Sequence, residues 1–382
     1  MQIRFSPSQT EYAKLNTEEL RAAFLIESLF APRKIELVYM DADRAIVGSA
    51  VPTRAPLALA ADAELRAAYF CERRELGILN IGGTGTVDVD GKAFTLSKLA
   101  CLYVGRGCQK IAFASRDAAK PAAFYLLSYP AHAQYPTRLA RVKDAAPVEL
   151  GTAADANRRT IYKYIHGDGI KSCQLVMGFT RLEPGAVWNT MPPHTHTRRS
   201  EIYLYFDLGP QRRVMHFMGG PQQTRHLAVA DRQAVISPSW SIHCGCGTGA
   251  YTFCWGMGGE NQRFDDMDPA PVEQLARELA AVGVAFDQVL PRPGEKPPVE
   301  RVVAARWFRY TYERGNGMAM IFLLFNYLDF DQKNDSLVIF FDGDNKVEDY
   351  ACSSSAGLPL SLPPAQVPSG RRKKAAFLLR RA

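Results

Sequence analysis

The sequence predicts a mainly β protein made of two β-rich halves, each a barrel or a sandwich, with a few helices and a short C-terminal extension. Short runs of alternating apolar and polar residues recur along the chain, and Gly or Pro turns separate them. The two halves are similar in length, although no clear sequence repeat relates them. Because 382 residues allow two or three domains, we expect domains at residues 1–150, 151–290 and 291–382.

Two helices are predicted in the first half, ahead of its strands. Thr17 can cap a helix whose first turn contains two glutamates. A second helix is expected to start at Asp62 and to run through AELRAAYFCERREL. Strands are predicted to dominate after these helices, and three of them are KLACLYVG, KIAFAS and AAFYLLSYP.

A glycine-rich segment lies among these strands. Residues 76–96 alternate apolar and polar side chains, with turns at Gly82-Gly83 and at Asp90-Gly91. The run Gly82-Gly83-Thr84-Gly85 also suggests a nucleotide-binding loop, but a dinucleotide loop leads into a helix, and here a second strand is expected. The sequence therefore favours a hairpin turn over phosphate binding.

The second half is predicted to be equally rich in strands. The candidates are RTIYKYI, CQLVMGFTRL, EIYLYFDL, RVMHFMG, RHLAVA, QAVISP and YTFCWGMG. A helix, PVEQLARELAAVG, and a stiff Pro-rich linker at residues 291–298 are expected to close it. Beyond the linker, MAMIFLLFNYLDF and SLVIFFDGDNKVEDY predict a small hairpin that needs a cover, because a lone hairpin is only marginally stable.

Charge and cysteine content exclude several classes of function. The net charge is +7, but the last 14 residues, SGRRKKAAFLLRRA, carry six cations, and without them it is +1. Nucleic acid is therefore disfavoured as a partner, and only this basic tail can attract a polyanion. No signal sequence or apolar run of about 20 residues is present, which predicts no membrane span. Eight scattered Cys favour reduced thiols in a cytoplasmic protein.

One constellation of residues indicates metal chemistry. His194 and His196 lie two residues apart, so on a strand both imidazoles face the same side. Glu201 opens the next strand and can turn back beside them, and His243 follows a later strand and a Pro turn. Three imidazoles and one carboxylate suit a first-row divalent metal, although the ligand types alone do not select zinc over manganese, iron or nickel.

The spacing of these residues resembles the cupin pattern, in which His-x-His-(x4)-Glu is followed by Pro-x-x-x-x-His. Trp240 stands where the second cupin motif usually has Gly, and this departure points to one cupin family. The segments NTMPPHTHTRRSEIYLYF, MHFMGGPQQTRHLAV and AVISPSWSIHCGCGTGAYTFCWGMGGENQRFDDMD, together with YFCERRELGILNIGG, are similar to the 4-deoxy-L-threo-5-hexosulose-uronate ketol-isomerases. The resemblance covers about residues 1–280. Pro193 stands where that family has Cys, which is not a ligand.

The resemblance implies a zinc-dependent aldose–ketose-type isomerase of pectin and uronate catabolism. It also implies a bicupin fold, a cytoplasmic location, a homohexamer and a small-molecule uronate substrate. The zinc ligands that it implies are the four residues selected above: His194, His196, Glu201 and His243. We therefore expect one zinc ion in residues 151–290 and none in residues 1–150.

The remaining site residues are predicted from the chemistry of ketol isomerisation. The reaction moves a proton between adjacent carbons and needs an acid or base within hydrogen-bond reach. The sequence does not single one out, and the candidates are Glu201, Tyr162, Lys163, Tyr203 and His226. A substrate carboxylate favours Arg as its partner, so the candidates for substrate binding are Arg198, Arg199 and Arg225, with Trp240 as a possible pocket wall.

Two alternative functions remain open at this stage. A different metal-dependent cupin, such as an iron dioxygenase, has a compatible ligand set. A cupin that binds a sugar acid without converting it, as a sensor or storage protein, would look the same in sequence. Neither the metal nor the role of residues 291–382 can be derived from the sequence.

Overall fold

The computed structural model describes residues 1–145, 147–260, 262–275, 336–341, 347–353 and 376–380. The chain divides into two compact units, Met1–Leu275 and Ala276–Ala382. The prediction of a mainly β fold is confirmed. The larger unit contains two seven-stranded sheets and two four-stranded sheets, packed in pairs as sandwiches rather than as closed barrels.

Twelve strands belong to the first 140 residues. They are β1 Gln2–Arg4, β2 Leu25–Ile26, β3 Ile35–Met40, β4 Ile46–Ala50, β5 Leu57–Ala58, β6 Arg74–Asn80, β7 Gly85–Val89, β8 Lys92–Leu96, β9 Cys101–Val104, β10 Ile111–Ser115, β11 Phe124–Pro130 and β12 Arg138–Ala140. Sheet 1 has the order β1-β3-β4-β11-β6-β9-β12, and sheet 2 has the order β5-β10-β7-β8. Buried apolar side chains from both sheets fill the space between them.

Another twelve strands follow up to residue 269. They are β13 Pro147–Leu150, β14 Arg159–Ile165, β15 Val176–Leu182, β16 Trp188–Asn189, β17 His194–Thr195, β18 Arg199–Phe206, β19 Val214–Gly220, β20 Gln223–Val229, β21 Gln233–Ser237, β22 Cys244–Gly247, β23 Thr252–Gly259 and β24 Asp268–Pro269. Sheet 3 has the order β13-β14-β15-β23-β18-β21-β2, sheet 4 has the order β16-β22-β19-β20, and β17 pairs with β24.

The helices are few and short. They are α1 Gln9–Tyr12, α2 Thr17–Phe24 and α3 Val272–Leu275, with 3₁₀ turns at Ala42–Arg44, Ala63–Leu65 and Val142–Asp144. Helix α2 confirms the first predicted helix, but its N-cap is Asn16, whose side-chain oxygen accepts the Glu19 backbone N–H at 2.9 Å.

The predicted helix from Asp62 is wrong. Only the single turn Ala63–Leu65 forms, and Arg66 then takes a left-handed backbone conformation with φ of 48°. The end of the segment enters β6, and all seven residues of this strand are buried between neighbouring strands. The helical periodicity was therefore overridden by burial in the centre of sheet 1.

The two glycine turns have different outcomes. Asp90 and Gly91 form the tight turn between β7 and β8, both with positive φ, as predicted. Gly82-Gly83 is not a hairpin turn, because β6 pairs within sheet 1 and β7 within sheet 2. A Cβ on Gly83 would lie 2.0 Å from the Lys120 carbonyl oxygen, so the crossing between sheets requires glycine. A strand follows the crossing, and no dinucleotide loop forms.

The N-terminal segment packs on the second half of the larger unit. Strand β2 pairs with β21 at the edge of sheet 3. The Tyr12 hydroxyl donates to the Met218 carbonyl at 3.0 Å, and Arg225 donates to the Leu15 carbonyl at 2.5 Å. Sheets 1 and 3 share a large apolar cluster that includes Leu127 and Phe179. The two halves are therefore joined by a common core and by the N-terminal segment.

In the smaller unit, three strands are described, and they form one antiparallel sheet. They are β25 Ser336–Phe341, β26 Val347–Ser353 and β27 Ala376–Arg380, in the order β26-β25-β27. Strands β25 and β26 both belong to the run that starts at Ser336 and pair with each other, and part of the basic tail adds the third strand. The linker 291–298 and the run 318–330 lie outside the described residues, so the hairpin expected between this run and the run that starts at Ser336 stays a prediction. Among the helices that are described, none is long and apolar enough to cross a membrane.

Candidate metal centre

Four side chains from three segments of the chain meet between sheets 3 and 4. His194 lies on β17, and His196 follows it by two residues. Glu201 is the third residue of β18, a central strand of sheet 3, and His243 directly precedes β22 of sheet 4. Pairing of β17 with β24 fixes the segment that carries the first two histidines. The fold thus brings together residues that are up to 49 positions apart in sequence.

The four side chains present one donor atom each to a common point. All four donor atoms lie within 4.8 Å of one another. The Glu201 Oε2 atom is 3.0 Å from His196 Nε2 and 2.9 Å from His243 Nε2, and His243 Nε2 is 3.1 Å from His194 Nε2. His196, Glu201 and His243 are buried and His194 is half-buried. The group is therefore sheltered by the fold and open at His194.

Backbone carbonyls fix the orientation of two of the rings. His196 Nδ1 is 2.8 Å from the Arg199 carbonyl oxygen, and His243 Nδ1 is 3.3 Å from the Ser241 carbonyl oxygen. Since a carbonyl oxygen only accepts, each Nδ1 carries the proton and donates it. Each Nε2 then faces the Glu201 carboxylate, and a bound cation would replace the proton that pairs this nitrogen with the carboxylate. This tautomer is the one that histidine ligands adopt when a second hydrogen bond orients them.

The charges at this point match a cation. Burial works against the Glu201 carboxylate, but His243 and His196 outweigh it and hold the pKa of Glu201 well below its usual value. Burial, together with His243, lowers the pKa of His194 to about 3, so this imidazole is neutral at pH 7. A carboxylate and converging imidazole lone pairs leave a site that a divalent cation can complete. The donor set therefore fits a metal ion.

Arg199 holds the segment that carries a proposed ligand in place and does not line the cavity. Its side chain is fully buried, and Nε and Nη2 donate to the two carboxylate oxygens of Asp266 at 3.1 and 2.6 Å. This pair immobilises the start of β18, whose first carbonyl orients His196. The prediction that Arg199 binds substrate has no support in this geometry, because Asp266 occupies its guanidinium.

A cavity of about 360 Å³ opens onto the candidate metal centre. His194 and Glu201 form part of its wall. Its other polar lining residues are Arg159, Lys163, Thr180, Thr190 and Tyr203. The apolar lining residues are Val148, Leu150, Ile161, Met191, Pro192, Phe253, Trp255, Met257, Phe264 and Met267. A mostly apolar cleft with a few polar groups is typical of a site for a small molecule.

The structure separates the candidates for proton transfer. Lys163 and Tyr203 line the cavity, and the Tyr203 hydroxyl is 3.1 Å from the Thr190 hydroxyl. Tyr162 lies on the opposite face of β14, where it stacks on Phe179 with ring centres 4.5 Å apart. His226 lies on the exposed side of β20 and does not line the cavity. Only Lys163, Tyr203 and Glu201 remain in reach of a bound molecule.

The other predicted substrate-binding residues also lie outside the cavity lining. Arg198 is exposed and pairs with Glu260 at 3.3 Å. Arg225 lies over the Tyr12 ring, at 5.9 Å from its centre. Trp240 packs edge-on against Tyr12 and Phe24. Arg225 and Trp240 therefore hold the N-terminal segment in place, and the geometry gives neither a role in substrate binding.

Sequence reasoning missed Arg159 as a residue of the site. It is the first residue of β14 and lines the cavity together with Ile161 and Lys163. Alternation along RTIYKYI places these three side chains on one face of the strand. This alternation was visible in the sequence, but nothing in the sequence shows that this face of β14 is directed at the histidines.

The fold and the site together define a protein with two cupin-like halves and a His₃Glu group at the wall of a cavity. In agreement, an IolB-like protein from Salmonella typhimurium has a similar fold, with a TM-score of 0.52 and 14% identity over 63% of this chain and 94% of that one. The KduI/IolB family model matches residues 25–272. The chain belongs to this family.

Two relatives named 4-deoxy-L-threo-5-hexosulose-uronate ketol-isomerase are closely similar in sequence. The one from Halalkalibacterium halodurans is 52% identical and the one from Shouchella clausii is 54% identical. Each match spans 275 residues, which is 72% of this chain and 100% of the relative. Because both relatives are named ketol-isomerases and align over their whole length, the chain is an enzyme of the isomerase class. More than a quarter of the chain has no counterpart in either relative.

Proposed function

We propose that this protein converts 4-deoxy-L-threo-5-hexosulose uronate to 3-deoxy-D-glycero-2,5-hexodiulosonate in a metal-dependent reaction. The observation that carries the proposal is the convergence of His194, His196, Glu201 and His243 within 4.8 Å at the cavity wall. The names of the relatives support the reaction, and the donor set supports the metal. Zinc is the proposed metal, with one ion per subunit.

The proposed ligands divide the work at the site. A zinc ion, when bound, supplies Lewis-acid polarisation of a carbonyl oxygen. Glu201 is proposed as a ligand and not as the proton carrier, because its Oε2 atom lies 3.0 Å from His196 Nε2 and 2.9 Å from His243 Nε2 within the donor group. Lys163 and Tyr203 line the same cavity and are the proposed groups for moving the proton between adjacent carbons. The apolar lining, which includes Trp255 and Phe253, limits the access of water to the bound substrate.

Proton NMR of the purified protein with 4-deoxy-L-threo-5-hexosulose uronate tests this function. We expect conversion to the 2,5-diketo acid, loss of conversion on chelation and its return when zinc is added. Conversion that survives complete metal removal would contradict the metal dependence. No conversion by folded, zinc-loaded protein would exclude the isomerase activity on this substrate.

Two other functions remain as alternatives to this proposal. An oxygen-dependent cupin with the same ligands would consume oxygen and would purify with iron. A sugar-acid-binding cupin would bind the uronate stoichiometrically and release it unchanged. We favour the isomerase because the relatives are named for that reaction.

The setting of the enzyme is also a proposal. We place it in the cytoplasm, in pectin and uronate catabolism, as a homohexamer, as the resemblance to the ketol-isomerases implies. We also place the metal in residues 151–290 and none in residues 1–150, and residues 291–382 have no proposed role. Light scattering coupled to size-exclusion chromatography measures the assembly directly.

A further inference from the structure

Arg159 is a buried cation without an acidic partner among the described residues. It is 8% exposed, and its guanidinium donates to two backbone carbonyl oxygens, those of Asn157 at 2.9 Å and Met191 at 3.5 Å. Burial lowers its pKa, but arginine remains charged at pH 7. A buried charge that lacks a counter-ion costs stability. Such a residue is retained most readily when a ligand supplies the opposite charge.

The position of Arg159 directs this charge at the cavity. Its side chain contributes to the lining, and its Met191 contact places the guanidinium beside the segment 190–192. The same segment carries Thr190, which bonds to Tyr203, and it leads directly to His194. Arg159 therefore lines the same cavity as His194 and Glu201 of the candidate metal centre.

The substrate of the proposed function carries a carboxylate, and this group has the charge opposite to that of Arg159. In 4-deoxy-L-threo-5-hexosulose uronate, the aldehyde and the carboxylate are at opposite ends of a six-carbon chain. The reacting carbons next to the aldehyde belong at the metal, so the carboxylate must be held farther along the cavity. Arg199 and Arg198 do not serve there, since the first is paired with Asp266 and the second with Glu260.

We infer that Arg159 binds the substrate carboxylate and so sets which end of the substrate reaches the metal centre. This inference rests on the proposed function for the identity of the substrate. Its planar guanidinium can donate two parallel hydrogen bonds to a carboxylate. Lys163, the other cation of the lining, lies four residues away on β14, over the Phe264 ring at 5.7 Å, and remains available for proton transfer.

The test compares Arg159→Gln and Arg159→Lys with the wild type on two substrates, the uronate and its neutral methyl ester. Arg158→Gln is the matched control, because Arg158 is the adjacent, exposed arginine and carries the same charge. Loss of a charge-assisted hydrogen bond predicts a KM for the uronate that rises about 10- to 100-fold in Arg159→Gln. We expect a smaller rise in Arg159→Lys, little change in kcat and no change in Arg158→Gln.

The methyl ester distinguishes a contact with the carboxylate from a structural effect. The wild type should bind the ester as poorly as Arg159→Gln binds the uronate, and the substitution should not weaken ester binding further. An equal rise in KM for both substrates, or none for either, would overturn the inference. Thermal unfolding of each variant identifies any that is misfolded, and the same comparison of substrates with Arg159→Lys decides the question if Arg159→Gln does not fold.

A failure of the isomerase function is separable from a failure of this inference. Calorimetric titration of the metal-free protein with the uronate measures binding without turnover. If the zinc-loaded wild type converts nothing, while the metal-free wild type binds the uronate and metal-free Arg159→Gln does not, the carboxylate contact is supported and the isomerase function is excluded. Binding of the same strength in both proteins would overturn the contact whatever the activity.

Discussion

The two halves of Met1–Leu275 share one architecture and differ in what fills it. In each half a four-stranded sheet packs on a seven-stranded sheet. Between sheets 1 and 2 the filling is apolar, with buried Leu76, Phe113 and Phe124. Between sheets 3 and 4, Glu201 and His243 occupy buried positions. The comparison teaches that one sandwich architecture can hold either a wholly apolar core or a small group of buried polar side chains.

Strands β6 and β18 make the difference specific, since each is the fifth strand of its seven-stranded sheet. Both begin with a buried arginine, Arg74 in one and Arg199 in the other. Their third residues are Leu76 and Glu201. Leu76 completes an apolar core, whereas Glu201 anchors the candidate metal centre. The same position of the shared topology is therefore apolar in the first half and carries a candidate ligand in the second.

Removal of a proposed metal ligand should have the largest effect on activity. This effect should arise only from substitutions in the second half. We expect His243→Ala to lose zinc and to lower kcat/KM about 1,000-fold, because a metal contributes several kcal/mol to the transition state. His132→Ala is the control, since His132 is exposed in the first half. Metal analysis and kinetics measure both. Full zinc content in His243→Ala would contradict the proposed ligand set.

Removing the Glu75 carboxylate should break the connection between the halves. This buried carboxylate of β6 accepts three backbone N–H groups, those of residues 173–175, at 2.7–2.8 Å, and the Tyr103 hydroxyl at 2.8 Å. Glu75→Ala leaves these donors unpaired, and we expect it to lower the free energy of unfolding by about 3 kcal/mol. Denaturant unfolding measures this loss. Glu36→Ala, with a side chain that is 39% exposed, is the control.

Weakening the N-terminal contact should have a moderate effect on the second half. Tyr12→Phe removes the hydroxyl that donates to the Met218 carbonyl. We expect a loss of about 1 kcal/mol in unfolding free energy, typical of one hydrogen bond. Hydrogen exchange should show the loss at β19 and not in sheets 1 and 2. A uniform loss across both halves would show that the segment stabilises the unit as a whole.

The smallest effect is expected at the exposed rim of the candidate metal centre. Arg198 and Glu260 form a pair whose side chains are 65% and 77% exposed. Exposed pairs contribute little, because water screens them. We expect Arg198→Ala to leave the KM for the uronate and the melting temperature unchanged. A large rise in KM would show that Arg198 binds the substrate, as the sequence predicts.

Much of the secondary structure followed from the sequence. The run RTIYKYI is strand β14, residues 159–165, without error. Alternation predicts strands well here because most strands are buried on at least one face. The prediction of a helix from Asp62 is wrong because the last residues of that segment enter β6. This strand is buried on both faces in sheet 1, so its sequence does not alternate. Local periodicity carries no information about that second face.

The candidate site was predicted in part. His194, His196, Glu201 and His243 were selected from spacing and residue type, and the structure brings their donor atoms together. The sequence favours Arg198 and Arg199 because they flank the ligands, and Arg225 because it lies beside His226. Arg159 is 35 residues before His194 and was missed, because sheet pairing rather than sequence distance brings β14 to the cavity.

The sequence by itself determined the mainly β class, the position of most strands and the identity of the four donor residues. These depend on side-chain type and on periods of two residues, which are local properties of the chain. Only the tertiary structure decided which charges face the cavity, which are neutralised by partners such as Asp266, and how the N-terminal segment reaches sheet 3. Those outcomes depend on contacts between distant strands, and burial in the folded chain sets their energies.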